Sequence, residues 1–113
     1  MRLPNGQRAE LGTKIEDYVL DSSHRRGGHK ARLFASVLGI TTANAGILRR
    51  ALQAAAATSD AAGPGADSEF GRVYTLRVPI HTIKGSATVL SAWIVRRGED
   101  FPRLTTCYII RRR

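Results

Sequence analysis

The apolar residues of this chain change their spacing about half-way along. Up to about residue 57 they recur every three or four residues, as in helices with one buried face, and from about residue 70 to 111 they alternate with polar residues, as in strands. Residues 58–69 between these parts are rich in Ala, Gly, Ser, Asp and Pro, which predicts a loop. With 113 residues, the chain is expected to form one α+β domain over residues 1–113.

Three helices are predicted in the first part. Thr13 and Glu16 have the spacing of a capping box at the start of a short helix. Gly39 is placed to end a second helix, and Thr42 to cap a third. The predicted ranges are about Lys14 to Leu20, about His29 to Leu38 and about Thr42 to Ala57.

The second part predicts an antiparallel sheet of three to four strands, with the helices packed on one of its faces. Tyr74–Ile80 alternates as a half-buried strand, and Pro79 within it favours an edge position or a bulge. Thr88–Arg97 is apolar on both faces over most of its length, which predicts a central strand. Arg103–Arg111 supplies a third strand, and Gln7–Leu11 could add a small fourth one.

The chain is basic along its whole length. It carries 18 Lys and Arg against 9 Asp and Glu, a net charge of +9, and 15 of the 18 are Arg. Arg presents a planar fork of donors that matches phosphate oxygens, so the charge predicts a polyanionic partner, most simply nucleic acid. Arg-rich composition on an ordinary solvated surface is the alternative explanation.

Other features narrow the class of protein. No apolar run approaches the roughly 20 residues of a membrane span, and Met1–Gly6 lacks the apolar segment of an export signal. We therefore expect a cytoplasmic protein without membrane contact, or a domain that a larger protein delivers to the cytoplasm. Cys107 is the only cysteine, which excludes an internal disulfide and a thiolate metal cluster. We expect it to be a small buried apolar side chain.

The densest chemistry lies in residues 23–30, ahead of the second predicted helix. Because a helix N-terminus already attracts anions and disfavours cations, basic side chains gathered there predict a bound phosphate or carboxylate. Gly27 and Gly28 would let the backbone approach that anion closely. The potentially cationic residues of this segment are His24, Arg25, Arg26, His29 and Lys30.

The sequence lacks the motifs typical of nucleotide-binding proteins, dinucleotide-binding proteins, zinc proteases and hydrolases. We therefore expect no cofactor and no metal. RNA cleavage by internal transesterification fits such a basic, metal-poor chain, since the 2′-hydroxyl is the nucleophile and the protein supplies only a base, an acid and positive charge. His24 and His29 are the first candidates for proton transfer, and Lys30 with Arg25 or Arg26 for holding the phosphate. Ordinary surface or capping roles for the two histidines remain equally open.

Strand residues offer further contacts to RNA. Tyr74 and Tyr108 could stack on bases, although aromatic residues in alternating strands more often belong to the core, where we place Trp93. Arg96 must direct its guanidinium to water or to an anion, and Thr106 offers a hydroxyl on the last strand.

Several short motifs together resemble a bacterial family of small toxin-like domains, of the kind found in toxin–antitoxin pairs and contact-dependent systems. The order of helices followed by an antiparallel sheet also resembles the metal-independent ribonucleases that include barnase, EndoU and the RelE toxins. The motifs are Leu3-Pro4-Asn5, Ser23-His24 with Gly28-His29-Lys30-Ala31, the strand start at Gly71–Tyr74, and Trp93 through Tyr108.

This resemblance implies an RNA substrate and an acidic antitoxin or immunity protein as partner. It also implies that Arg96 clamps phosphate, and that the catalytic positions are His24, His29, Lys30, Thr106 and Tyr108. The strands offer no Glu/His pair of the barnase kind, so the general base stays unassigned. A non-catalytic module that binds nucleic acid or an acidic protein is the alternative function, and a structural part of a phage particle or secretion machine is a third; the oligomeric state is left open.

Overall fold

The computed structural model describes residues 1–23 and 28–110, and within them helices are followed by a four-stranded antiparallel sheet. The predicted α+β architecture is confirmed. The first helix is a π-helical segment, Ile15–Val19; the second is α-helical over Gly28–Leu33 and π-helical over Phe34–Leu38; the third is Gly46–Thr58, preceded by a 3₁₀ turn at Thr42–Asn44. The strands are β1 (Ala66–Ser68), β2 (Gly71–His81), β3 (Ser86–Arg96) and β4 (Arg103–Ile110), in the order β1-β2-β3-β4.

The ends of the helices follow the sequence signals only in part. Gly39 ends the second helix in a left-handed conformation, with φ of 69°, as predicted. Thr42 does not cap the third helix, which begins at Gly46 without a side-chain cap. The Thr41 hydroxyl instead caps the preceding 3₁₀ turn, because it accepts a hydrogen bond from the backbone N–H of Ala43. The predicted capping box at Glu16 is wrong, because the first helix begins without a side-chain cap and the Glu16 carboxylate instead pairs with a residue of the third helix.

The sheet confirms the predicted central strand, because β3 lies between β2 and β4. Pro79 occupies an edge position as expected, since β1 pairs only with the first three residues of β2. β1 itself falls inside the predicted loop and was missed. Gln7–Leu11 is not a strand: Gly6–Arg8 forms a 3₁₀ turn, and Glu10 makes a single parallel bridge to Arg103.

The hydrophobic core lies between the helices and one face of the sheet. Alternate residues of each long strand face it, and side chains from all three helices pack onto them. Trp93 is fully buried at its centre, as predicted. The largest core residues from the helices and their connections are Ile15, Phe34, Leu38, Ile40, Leu48 and Leu52, and those from the strands include Leu76, Val89, Trp93 and Leu104.

A β-bulge in β4 changes which residues share a face. Ala92 pairs with Thr106 but the next residue of β3, Trp93, pairs with Leu104, so Thr105 is the extra residue. The Thr105 hydroxyl donates to the carbonyl oxygen of Ala92 at 3.1 Å. As a result Leu104 is buried on the core face, whereas strict alternation along β4 would have placed it on the same face as Thr106 and Tyr108.

Cys107 lies on the core face of β4 and is 1% exposed. Burial raises the pKa of its thiol to about 12, so the reactive thiolate is scarce at neutral pH. We expect a thiol reagent at pH 8 to leave Cys107 unmodified in the folded protein and to label it rapidly in denaturant. Mass spectrometry would measure the extent of labelling. Rapid modification of the folded protein would contradict the burial of this residue.

Candidate lysine and hydroxyl site beside β4

The basic segment before the second helix is described only in part. His24, Arg25 and Arg26 lie outside the described residues, so their predicted roles stay predictions. Of the remaining two candidates, His29 is exposed and Lys30 is half-buried in the first turn of the helix.

Lys30 faces the last strand of the sheet. Its Nζ atom lies 4.9 Å from the centroid of the Tyr108 ring, within the range of a cation–π interaction. The contact brings together two residues that the family resemblance assigns to one site, one on a helix and one on a strand. It also holds the lysine side chain at the β4 edge of the sheet.

A depression of about 510 Å³ adjoins this contact. It is lined by two lysines, one tyrosine and two threonines, and it lies between the first helix, the second helix and β4. We call it the lysine depression, and its lining residues are Lys14, Tyr18, Lys30, Thr105 and Thr106.

Local structure explains why these side chains converge. Lys14 and Tyr18 are four residues apart at the first helix, a spacing that places them on one side of it. On β4 the bulge brings the adjacent residues Thr105 and Thr106 into the same lining, where regular alternation would direct them to opposite faces.

The electrostatics of the depression favour an anion. Two ammonium groups lie in its wall, and none of the described lining residues carries a carboxylate. Of the two acids between Lys14 and Tyr18, Asp17 is exposed and outside the described lining, and Glu16 is paired. The Glu16 carboxylate accepts a hydrogen bond of 2.7 Å from Arg49 Nη2, which holds the pKa of Glu16 below its usual value. Like charges in one depression repel each other, and a bound phosphate or carboxylate relieves that repulsion.

Three other predicted site residues are not part of the lining. Tyr74 is 7% exposed and packs in the core, so its predicted stacking role is wrong for want of an accessible ring face. Arg96 is exposed at the end of β3, four residues beyond the partner of Thr106, which places it about 13 Å along the strand at about 3.3 Å per residue. His29 is absent from the described lining.

Residues 2–111 match a family described as a domain of unknown function, DUF6883. The chain belongs to the DUF6883 family. Searches of the curated proteins and of the solved structures find no match to it.

The lysine depression of this DUF6883 domain contains residues that the sequence did not single out. None of Lys14, Tyr18 and Thr105 belongs to a sequence motif that indicates a functional site. Only the packing of the first helix beside β4 brings these three residues together. The spacing of Lys14 and Tyr18 was a readable signal for one helix face. The bulge at Thr105 left no comparable signal in the sequence.

The described part of the DUF6883 domain offers neither a metal site nor a membrane span. Within residues 1–23 and 28–110, no group of three or more His, Cys, Asp or Glu is placed to hold a metal ion. None of the helices in these ranges is both long and apolar enough to cross a bilayer.

A second cavity, of about 650 Å³, lies at the other end of β4. Its lining is mainly apolar and includes Leu33, Val37 and Ile110. His81 lines it too, with Nδ1 2.7 Å from Ser86 Oγ across the ends of β2 and β3. This pairing flanks the β2–β3 turn and gives His81 a structural role there.

Proposed function

We propose that this protein is a toxin-type, metal-independent endoribonuclease that holds RNA at the lysine depression. The observation that supports this most directly is the pair of ammonium groups sharing one depression with three hydroxyl-bearing residues and with no carboxylate among its described lining. A phosphodiester matches such a lining, because the two ammonium groups and the Thr106 hydroxyl donate hydrogen bonds to its oxygens, while the Thr105 hydroxyl already donates to Ala92. The proposal includes action in the cytoplasm and neutralisation by an acidic antitoxin or immunity protein.

The reaction needs no added water or metal. The 2′-hydroxyl oxygen attacks phosphorus while the bond from phosphorus to the 5′-oxygen breaks, which gives a 2′,3′-cyclic phosphate and a 5′-hydroxyl end. A base takes the proton of the 2′-hydroxyl, and an acid returns one to the leaving 5′-oxygen. In this proposal Lys30 and Lys14 stabilise the added negative charge on the phosphate, and the Tyr108 hydroxyl is a candidate acid.

A non-catalytic RNA-binding module is the second candidate function, and one observation favours it. The described lining contains no imidazole and no carboxylate, the two groups that most often serve as a general base near neutral pH. His29 neighbours Lys30 in sequence and remains the candidate base among the described residues. Binding and cleavage must therefore be measured separately.

The test measures both the binding and the cleavage of a labelled single-stranded RNA in EDTA, by the wild type and by the double variant Lys14→Ala/Lys30→Ala. Lys84→Ala is the matched control, because Lys84 is the remaining lysine and lies at the β2–β3 turn. We expect the double variant to bind RNA at least tenfold more weakly, about 1.4 kcal/mol, with a shallower dependence on salt, while the control keeps its affinity. Equal loss in the control would show that only net charge matters.

Cleavage decides between the two candidate functions. We expect cyclic-phosphate ends from the wild type and none from the double variant, and a reduced rate in His29→Ala if this residue is the base. Intact RNA with every protein, together with the expected loss of affinity, would replace the enzyme by the binding module. Growth arrest on induced expression, absent for the double variant, would support the toxin part of the proposal.

A further inference from the structure

The sheet face turned away from the core carries an apolar stripe that is centred on β3. An antiparallel sheet with one solvated face normally alternates apolar and polar residues. Here the central strand places three aliphatic residues in succession on this face, Leu90, Ala92 and Ile94, and β4 adds Tyr108 and Ile110, whereas the outward positions of β2 from Thr75 to His81 are polar or proline. We call this surface the open face and define it by Val73, Leu90, Ala92, Ile94, Tyr108 and Ile110, all of which retain partial exposure in the described structure.

Strand register shows that the open face is continuous. Leu90, Ala92 and Ile94 follow one another along the central strand, two residues apart. Leu90 pairs with Tyr108 of β4, and Ile94 pairs with Val73 of β2. Neighbouring side chains on one face lie about 5 Å apart across strands, so these residues form one surface rather than isolated positions.

Cations flank the apolar surface on both sides. Arg77 is exposed and is the β2 partner of Leu90, and Lys30 lies over the ring of Tyr108 on the other side. A line across the open face therefore begins and ends at a cation: it runs from Arg77 through Leu90 and Tyr108 to Lys30. None of the positions of β2, β3 and β4 that face this way carries a carboxylate.

We propose that the open face is the docking surface for an acidic protein segment that also presents apolar side chains. Charge selects this occupant, because a second copy of this +9 chain would add positive charge to a face that already carries Arg77 and Lys30. Aliphatic side chains also distinguish it from RNA, whose bases stack on aromatic rings, of which the open face has only Tyr108. An acidic, partly apolar segment satisfies both the flanking cations and the aliphatic centre.

Docking there would also block the lysine depression. Lys30 contributes to both surfaces, and Thr106 of the depression is two residues from Tyr108 of the open face. A carboxylate paired with Lys30 would compete with RNA phosphate for the same ammonium group. This regulatory consequence rests on the proposed function, whereas the docking surface itself does not.

The test uses two synthetic polymers of the same charge type: poly-glutamate, and a random copolymer of four Glu to one Tyr. We expect the wild type to bind the copolymer at least tenfold more tightly than poly-glutamate at equal carboxylate concentration. Methyl NMR signals of Leu90, Ile94 and Ile110 should shift with the copolymer and not with poly-glutamate. Equal affinity for the two polymers, or unshifted methyl signals, would overturn the proposal.

Variants connect the binding to the surface. Leu90→Ser and Ile94→Ser should each weaken copolymer binding about tenfold, with folding checked by the fluorescence of buried Trp93. Ile83→Ser is the matched control, because Ile83 is a fully exposed aliphatic residue at the β2–β3 turn, outside the open face, and its loss should change nothing. A similar loss in all three folded variants would overturn the proposal, as would RNA shifting the same methyl signals when the copolymer does not.

Failure of the two proposals can be told apart. Should RNA binding be absent, the copolymer would still shift the open-face methyl signals and the docking surface would stand. Should the copolymer fail to bind while RNA binding depends on Lys14 and Lys30, the docking surface would fall and the proposed function would stand. Competition between the copolymer and RNA for the wild type measures the link between them.

Discussion

Replacing Trp93 with alanine is expected to lower the free energy of unfolding by about 3–5 kcal/mol. The side chain is fully buried at the centre of the core face. A small domain has a total stability of about 5–15 kcal/mol, so the variant is expected to be partly unfolded or close to it at 37 °C. Because Trp93 is the only tryptophan, denaturant titrations should be followed by far-ultraviolet circular dichroism.

Two hydrogen bonds that meet at the Ser91 hydroxyl allow the contribution of the Trp93 indole N–H to be measured apart from the packing of its ring. The indole Nε1 of Trp93 donates to Ser91 Oγ at 2.9 Å, and the Ser91 hydroxyl donates to the Leu76 carbonyl oxygen at 2.8 Å. Ser91→Ala keeps the ring but leaves a buried donor without a partner, which should cost about 1–3 kcal/mol. Trp93→Phe on the Ser91→Ala background removes that donor too and should cost less than the sum of the single changes. Strict additivity would contradict this pair of hydrogen bonds.

Hydrophobic periodicity predicted the helices and the three long strands because each of these elements buries one face. The second helix and β2 are the clearest examples: Phe34 and Leu38 are buried on one side of the helix, and Leu76 and Val78 on one side of the strand, as their spacing requires. The three-residue strand β1 buries almost nothing, so it had no such pattern to detect.

Long-range partners explain the remaining errors in the fold. The spacing of Thr13 and Glu16 is a local signal for a cap, but Glu16 is held by Arg49, which is 33 residues away along the chain. The bulge at Thr105 likewise follows from how β4 pairs with β3 rather than from composition. Neither interaction can be read from neighbouring residues.

Only part of the candidate site could be predicted, because some of its residues come together through long-range packing. Lys30, Thr106 and Tyr108, three positions named by the family resemblance, lie close together at β4. Tyr74 follows the alternation of its strand into the core, which makes it a packing residue. Lys14 and Tyr18 join the site only because the first helix packs beside β4, a tertiary contact that no motif encodes.

Replacing Gly6 with alanine is expected to cost about 3 kcal/mol, the upper end of the usual range for overpacking. A Cβ atom at Gly6 would overlap the carbonyl oxygen of Ala56, which is backbone of the third helix and has little freedom to move. Gly12→Ala is the control: its φ of +57° is unfavourable for alanine, but nothing lies within 4 Å of the added atom, so about 1 kcal/mol is expected. Denaturant unfolding monitored by Trp93 fluorescence would measure both. Equal losses would show that the N-terminal turn can separate from the third helix without disturbing the core.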